Sequence, residues 1–532
     1  MATTATVPAE QVQSRTGATW LGVALLAAGL LLRLRLAWAT FLNPDEALHY
    51  FLSRQASLKL AYEASLTTAH PPLMILFLHY WSRLGSSEFV LRLPFVLAGT
   101  LFCWIMFLWM RRVTNSRAAW FGLALFLFAP PLISLSAEIR QYALLLLFCA
   151  SALYLLERAL SENSGKWMAL SAATLYLALF THYSTLIFAA AIGVYGLIRL
   201  LQRSHPAKLM VTWMATQLGG LGICAFLFES QISKLRHSGV PSEIAATWLR
   251  GSIFHRGEDH IASFAWTRTL RLFRYFFSHG TIGVLGFLLF VFAIVAMFWP
   301  DRQREERFAL GLLLILPFLI TLGAAFAGIY PYGGTRHDVF LVTFAIAAIS
   351  IGLDRLPLPQ SRWIKPALVA AALIICSLFP SPSGPYITPA NQQRELMRQA
   401  ISYLGALPPS STIFTDQQGS MVLNYYFCAE QMPLTFSEQS KPLLRMPCGE
   451  YYVLTAGNTQ TGFDRQTFPV VLGDAWQSEP KEQRLYVFQS GWINDKEQDW
   501  LTELRRLGGD PRNFGPNLLV CPITRTTAQS GS

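Results

Sequence analysis

The run ATWLGVALLAAGLLLRLRLAWATFLNPDE, residues 18–46, decides the fold. It opens as a helix-length apolar stretch, and two adjacent carboxylates, Asp45 and Glu46, follow directly behind Asn43 and Pro44. About 20 consecutive apolar residues are what a helix needs to cross a bilayer core. The stretch also has the outline of a signal peptide, with Ala37-Trp38-Ala39 where a cleavage site would stand. Arg33 and Arg35 argue against that, because a signal peptide carries its charge ahead of the apolar run. The segment therefore reads as an uncleaved span. Asp45 and Glu46 become acids at its mouth, and ionisable groups placed there in membrane proteins bind or catalyse.

Composition extends this reading along the chain. Of 532 residues, 53% are hydrophobic and 14% charged, against roughly 25% charged in an ordinary soluble domain. Apolar windows near 18–40, 93–110, 117–135, 141–158, 167–181, 184–201, 208–228, 280–299, 308–329, 338–353 and 364–380 predict about eleven spans. The short connectors holding Arg111 and Arg112, Arg158 and Lys166, Arg199 and Arg203, Arg302 and Arg304, and Arg355 and Arg362 fall on one side. Basic short loops mark the cytoplasmic side. The N-terminus is then inside, and residues 381–532 lie outside with the loops carrying Asp45, Glu138, His182 and Arg336. The net charge of +11 needs no nucleic-acid partner to account for it.

The expected architecture is an all-α polytopic membrane bundle with a C-terminal α/β extracytoplasmic domain. Residues 1–16 are a small, polar, disordered leader, 17–380 the membrane domain with outer loops 41–92 and 229–279, and 381–532 the soluble domain. That last domain opens on the linker Pro380-Ser381-Pro382-Ser383-Gly384-Pro385. A helix around 391–404 and β-rich runs at 411–415, 451–455, 484–489 and 517–523 follow. Cys428, Cys448 and Cys521 lie here, and an oxidising compartment permits a Cys428–Cys448 bridge with Cys521 left over.

Polar groups gather at span ends assigned to the outer face. They are Asp45-Glu46, Glu138-Ile139-Arg140-Gln141-Tyr142, Thr181-His182-Tyr183, and Tyr330 to Asp338 with its Gly333-Gly334-Thr335-Arg336-His337 core. Acids there suit a hydroxyl proton and cations suit a phosphate. With His70-Pro71-Pro72-Leu73 and the Glu88 to Pro94 stretch, this series resembles the bacterial relatives of the dolichyl-phosphate-mannose protein mannosyltransferases, glycosyltransferase family 39, and the aminoarabinose transferases of lipid A. The likeness runs over about residues 17–350. It implies the glycosyltransferase C fold and an inverting transferase of the bacterial inner membrane. Such an enzyme takes a sugar from a polyprenyl-phosphate carrier and gives it to a lipid, glycan or protein acceptor on the outer face.

Inversion by one displacement needs a single base, and Asp45 matches the family's first acid. Glu46 either orients that base or caps a juxtamembrane helix. Glu138 matches the second acid and either binds the acceptor, joins Asp45 as an oxygen ligand of a divalent cation, or pairs internally with Arg140. No certain cofactor is implied. Arg140, Arg336, His337 and His70 are the candidates for holding the donor phosphate, the glycines before Arg336 letting backbone N–H groups approach an anion. Tyr142, His182 and Tyr183 are secondary candidates, the last two equally at home in an interfacial aromatic belt. Arg33 and Arg35 either snorkel to the headgroups or pair with Asp45. His255 to His260 lacks ligand spacing and reads as a solvated loop. Arg268, Arg271 and Arg274, at helical spacing among aromatics, predict an amphipathic helix lying on the membrane surface. The rival class is a transporter or flippase of lipid-linked sugars, disfavoured because no half repeats are visible and the polar groups collect on one face.

Overall fold

The computed structural model describes residues 9–237, 249–299, 304–359, 361, 363–381, 392–429, 443–456, 463, 468–479, 482–491 and 497–525. Among the described residues, eight helices are long and apolar enough to cross a membrane, or nine if the bent pair Ser116–Phe128 and Pro130–Ser136 counts as one span. All eleven expected segments are helical, but Gly165–Leu179 and Ile364–Leu378 have only 15 residues each. At 1.5 Å per residue, that is short of a hydrocarbon core of roughly 30 Å, so eleven full-length spans are not reached. The chain forms two compact units: Met1–Arg35, Leu93–Ala137 and Gln141–Ser383 make the first, and Leu36–Arg92, Glu138–Arg140 and Gly384–Ser532 the second. The outer stretch from 36 to 92, read from sequence as part of the membrane domain, thus groups with the C-terminal segment.

In the first unit, prolines create a defect and an arginine repairs it. The Ser116–Phe128 and Pro130–Ser136 helices meet at a 56° bend. A continuous helix would bond the carbonyls of Phe126 and Leu127 to the amides of residues 130 and 131, but both are proline and have none. Arg33 fills the gap: fully buried, it donates to Leu127 O at 2.9 Å and to Phe126 O at 3.4 Å, and to Gly29 O of its own helix at 3.0 Å. The expectation that Arg33 would snorkel or pair with Asp45 is therefore corrected. Arg33→Leu should leave the Leu127 carbonyl unsatisfied in an apolar bundle and the Phe126 carbonyl with only the weak Cys103 thiol donor at 3.3 Å, at a cost of about 1–3 kcal/mol. The thermal midpoint in detergent reads this, and an unchanged midpoint would refute the repair.

The basic aromatic stripe also departs from expectation. Ile261–Phe277 is a helix, but Phe264, Leu272, Phe273, Phe276 and Phe277 are buried, and Phe273 packs on Phe287, Phe290 and Phe318. Its aromatic face is used by the bundle instead of lying on a membrane surface. In the preceding loop, Asp259 accepts from His255 N–H at 2.9 Å and Glu258 pairs with Arg250 at 2.9 Å; residues 238–248 of the expected outer loop lie outside the described residues.

In the second unit, the Pro44–Ser53 helix starts where its sequence dictates. Asn43 is the N-cap, Pro44 sits where a missing N–H does no harm, and Asn43 and Glu46 form a reciprocal capping box. The C-terminal segment builds a six-stranded sheet from β1 (Thr412–Asp416), β2 (Leu443–Cys448), β3 (Tyr451–Ala456), β4 (Arg484–Ser490), β5 (Arg512–Gly515) and β6 (Leu518–Thr524). Their order is β2-β3-β1-β4-β6-β5, with β1 parallel to both β3 and β4. The sequence located the inner four strands and missed the two edges. β2 contains Arg445 and Pro447, and β5 is four residues long, features that weaken a strand signal and that edges tolerate. Cys428 and Cys448 form a disulfide, and Cys521 is a free, buried thiol.

Asp416 ends β1 and caps the Gln417–Tyr426 helix, accepting from Gly419 N–H at 2.6 Å. Burial pushes its carboxyl up to about 6 despite the backbone donors that favour the charged form. Folding therefore takes up a proton, and Asp416's contribution to stability is fully present below the ordinary aspartate range and is lost as pH rises from about 4 to about 6. Asp416→Asn keeps a capping acceptor without the titration. Thermal midpoints measured across that window should flatten in the variant, and an unaltered slope would count against Asp416 as its source.

Candidate functional site

Asp45 and Glu46 are neighbours in sequence with opposite surroundings. On the Pro44–Ser53 helix, successive residues point about 100° apart, and here one carboxylate meets an opening while the other is sealed. Glu46 is fully buried. Its Oε1 accepts from Arg92 Nε at 2.7 Å and from Ile139 N–H at 2.9 Å; its Oε2 accepts from an Arg92 terminal nitrogen at 2.6 Å and from Asn43 N–H at 2.9 Å. Four donors leave little of this carboxylate for a substrate. The catalytic role considered for Glu46 is therefore corrected: it caps the helix and anchors the loop that bears Glu138 and Arg140.

Asp45 keeps 22% of its side chain exposed and is held by Arg140, whose Nη1 lies 2.8 Å from Oδ2. Arg140 is itself only 4% exposed. Its guanidinium orients Asp45, a partner the sequence had not offered it. Glu138 is half-buried, and its carbonyl accepts from Arg140 N–H at 2.8 Å. One helical turn on from Asp45, the buried His49 hydrogen-bonds the Asp45 carbonyl through Nδ1, and its ring lies 6.3 Å from that of the half-buried His70. Sequence reading passed over His49 and gave Arg92 no role. The i, i+4 spacing from Asp45 was the available signal for the histidine.

The first unit brings together a second set. The rings of His182 and His337 lie 5.9 Å apart, and Tyr142 stands 5.6 Å from His182 and 6.3 Å from His337. His182 is buried, and Ser184 N–H donates to its Nδ1 at 3.1 Å, which makes Nδ1 the acceptor and places the proton of the neutral ring on Nε2. Tyr330 donates to the His337 carbonyl at 2.9 Å. Burial first, then Asp338 and Tyr142, push the Tyr330 hydroxyl well above its usual range, so it acts as a neutral donor. Tyr183 parts company with this cluster: it donates to Gln231 on the π-helical turn Phe228–Ile232 and lines an apolar cavity of about 370 Å³ with Leu179, Leu186, Cys224 and Phe228.

Arg336 opens the 3-10 helix Arg336–Leu341 behind the glycine turn. Gly333 and Gly334 have φ of 137° and 82°, conformations that side chains rarely adopt. A Cβ on Gly333 would also lie 2.9 Å from Arg268 Cδ, and one on Gly334 would lie 2.6 Å from the Arg271 carbonyl. The backbone donors expected to meet a phosphate are already engaged, because Gly333 N–H and Thr335 N–H donate to Asp338 Oδ2 at 3.1 and 3.2 Å. This turn holds its own carboxylate, leaving the Arg336 and His337 side chains as its candidates for an external anion. Among the described residues, no group of three or more His, Cys, Asp or Glu could hold a metal ion. The two oxygen ligands considered from sequence are Asp45, ion-paired with Arg140 at 2.8 Å, and the half-buried Glu138.

The bundle with its small α/β domain is the architecture of the glycosyltransferase C class of membrane proteins. Residues 69–227, under a third of the chain, match the dolichyl-phosphate-mannose-protein mannosyltransferase family, as the motifs had indicated. That stretch contains His70, Glu138, Arg140, Tyr142, His182 and Tyr183 and excludes Asp45 and Arg336. Among solved structures, ArnT from Cupriavidus metallidurans in the apo state is 16% identical, with a TM-score of 0.55 over 97% of this chain and 100% of that one. The same protein bound to undecaprenyl phosphate is also 16% identical, with a TM-score of 0.52 over 97% and 99%. At that identity the likeness establishes the fold. No curated protein matches the sequence.

Proposed function

We propose that the protein is an inverting membrane glycosyltransferase that moves a sugar from a polyprenyl-phosphate donor to a lipid, glycan or protein acceptor. The observation that carries this reading is the division of labour at Asp45-Glu46, one acid sealed as structure and its neighbour held open and oriented by Arg140. In the reaction, Asp45 takes the proton of the acceptor hydroxyl or amine as the acceptor atom bonds to the anomeric carbon. The bond from that carbon to the phosphate oxygen breaks on the opposite face, and polyprenyl phosphate leaves. Glu138 assists on the acceptor side. Arg336 and His337, with the Nε2–H of His182 and the Tyr142 hydroxyl, are the first unit's candidates for the phosphate, and His70 is the second unit's, since charge-assisted donors are worth most as charge develops. Support for the donor class comes from the family match over residues 69–227 and from the shared fold of ArnT, whose structure was solved with undecaprenyl phosphate.

This reading places the protein in a bacterial cell membrane, its N-terminus cytoplasmic and its C-terminal segment outside. Its test is reconstitution into liposomes with radiolabelled polyprenyl-phosphate sugars and candidate acceptors. Release of polyprenyl phosphate with label passing to an acceptor supports the transferase. Movement of the intact carrier across the bilayer without cleavage would replace it with the flippase. A chelator arm of the same assay reads dependence on a divalent cation.

A further inference from the structure

Within the second unit the C-terminal segment grips the lead-in to the helix that bears Asp45. Phe41 N–H donates to the Gln392 carbonyl at 2.9 Å, and the Gln392 amide donates back to Phe41 O and reaches Glu46 Oε2 at 3.5 Å. Leu42 N–H donates to the Tyr426 hydroxyl at 2.7 Å, and that hydroxyl donates to Glu88 Oε1 at 2.8 Å. Arg394 pairs with the other oxygen of Glu88 at 3.0 Å and lies 4.9 Å from the Trp38 ring centre. Tyr425 meets the Tyr50 ring edge-on at 5.2 Å. The two amides before the N-cap therefore find their partners in residues some 350 to 384 positions away. A helix start is otherwise defined by local caps alone; this one is also fixed from outside.

We infer that Tyr426 and Gln392 are positioning residues for Asp45: the C-terminal domain clamps Phe41 and Leu42, and so sets the register and direction in which Asp45 is presented. Its kinetic consequence rests on the transferase reading, and its structural consequence stands on the geometry alone. Tyr426 is suited to the task because one hydroxyl both accepts and donates, coupling the Leu42 amide to the Glu88–Arg394 pair. Removing that hydroxyl leaves the ring packed while freeing the Leu42 N–H. A base displaced by about 1 Å loses up to roughly 100-fold in rate without any change in what binds.

Tyr426→Phe in the reconstituted full-length protein should lower kcat by about tenfold or more and leave KM for the polyprenyl-phosphate sugar within about twofold. Amide hydrogen exchange, read without reference to activity, should speed up at residues 41–47 and stay unchanged in β1 and β4. Arg394→Gln, which loosens Glu88 without touching Leu42, should give the same pattern at smaller amplitude. Unchanged kcat, a rise in KM at constant kcat, or unchanged exchange at 41–47 would overturn the clamp, as would loss of protection throughout β1 and β4. If the wild type cleaves no polyprenyl-phosphate sugar, the transferase reading falls, while the exchange measurement still decides the clamp.

Discussion

Asp45→Asn is expected to lower kcat for sugar transfer by about 10³-fold, within the range of roughly 10²–10⁴ that a positioned general base contributes. The substitution is nearly isosteric, and the amide oxygen can still accept from Arg140, so the helix, the loop and the donor site keep their places. Only the capacity to take the acceptor's proton is removed. KM for the polyprenyl-phosphate sugar should therefore change little, because the base acts in the transition state and not in donor binding. Asp45→Glu tests position in place of chemistry. It keeps a carboxylate but pushes it one methylene past the point Arg140 fixes 2.8 Å away, and partial activity between that of the wild type and the amide variant is expected. Turnover of Asp45→Asn within tenfold of wild type would remove Asp45 as the base and leave Glu138 as the next acid to examine.

Why the sequence left Glu46 open between orienting Asp45 and capping a helix has a physical explanation. Sequence reveals which residue types sit beside a span, and hydropathy is a strong signal, so every expected apolar segment proved helical. It does not reveal a partner dozens of residues away. Arg92, 46 positions from Glu46, lies in the first turns of the Glu88–Val113 helix, just ahead of its long apolar run, and nothing local announces what it meets. The Gly333-Gly334 turn shows the same limit in reverse. Its glycines were legible as a place where backbone donors converge, but the acceptor they serve is the Asp338 side chain, five residues from Gly333 in the same loop. Arg33 was misjudged because an arginine near a span end ordinarily snorkels, whereas two consecutive prolines elsewhere had created a need for it. What remained hidden in each case was a long-range pairing, and burial decides such pairings once the chain is packed.

Arg92 and Glu46 should be the costliest structural pair to break. Both side chains are fully buried, and the Arg92 fork does more than neutralise Glu46. One terminal nitrogen donates to Ala37 O at 3.0 Å and to Thr40 O at 2.7 Å, at the end of the first long helix, and the other donates to Phe41 O at 2.9 Å. Arg92→Met would strand a buried carboxylate together with the Ala37 and Thr40 carbonyls, the Phe41 carbonyl keeping its donor in Gln392, and removing one partner of such a pair costs about 3–5 kcal/mol. Glu46→Gln should cost less, because the amide oxygen still accepts from Ile139 N–H or Arg92 while one full charge goes unmatched. Pairing Arg92→Met with Glu46→Leu removes both charges, and its loss should be smaller than the sum of the two single losses, a coupling that a double-mutant cycle on thermal midpoints in detergent would read. Kinetics then separate the two acids: correctly folded Glu46→Gln should retain kcat within about tenfold of wild type, well above the roughly 10³-fold loss argued for Asp45→Asn. A Glu46→Gln protein with wild-type stability and abolished turnover would make Glu46 the reacting acid and Asp45 its support.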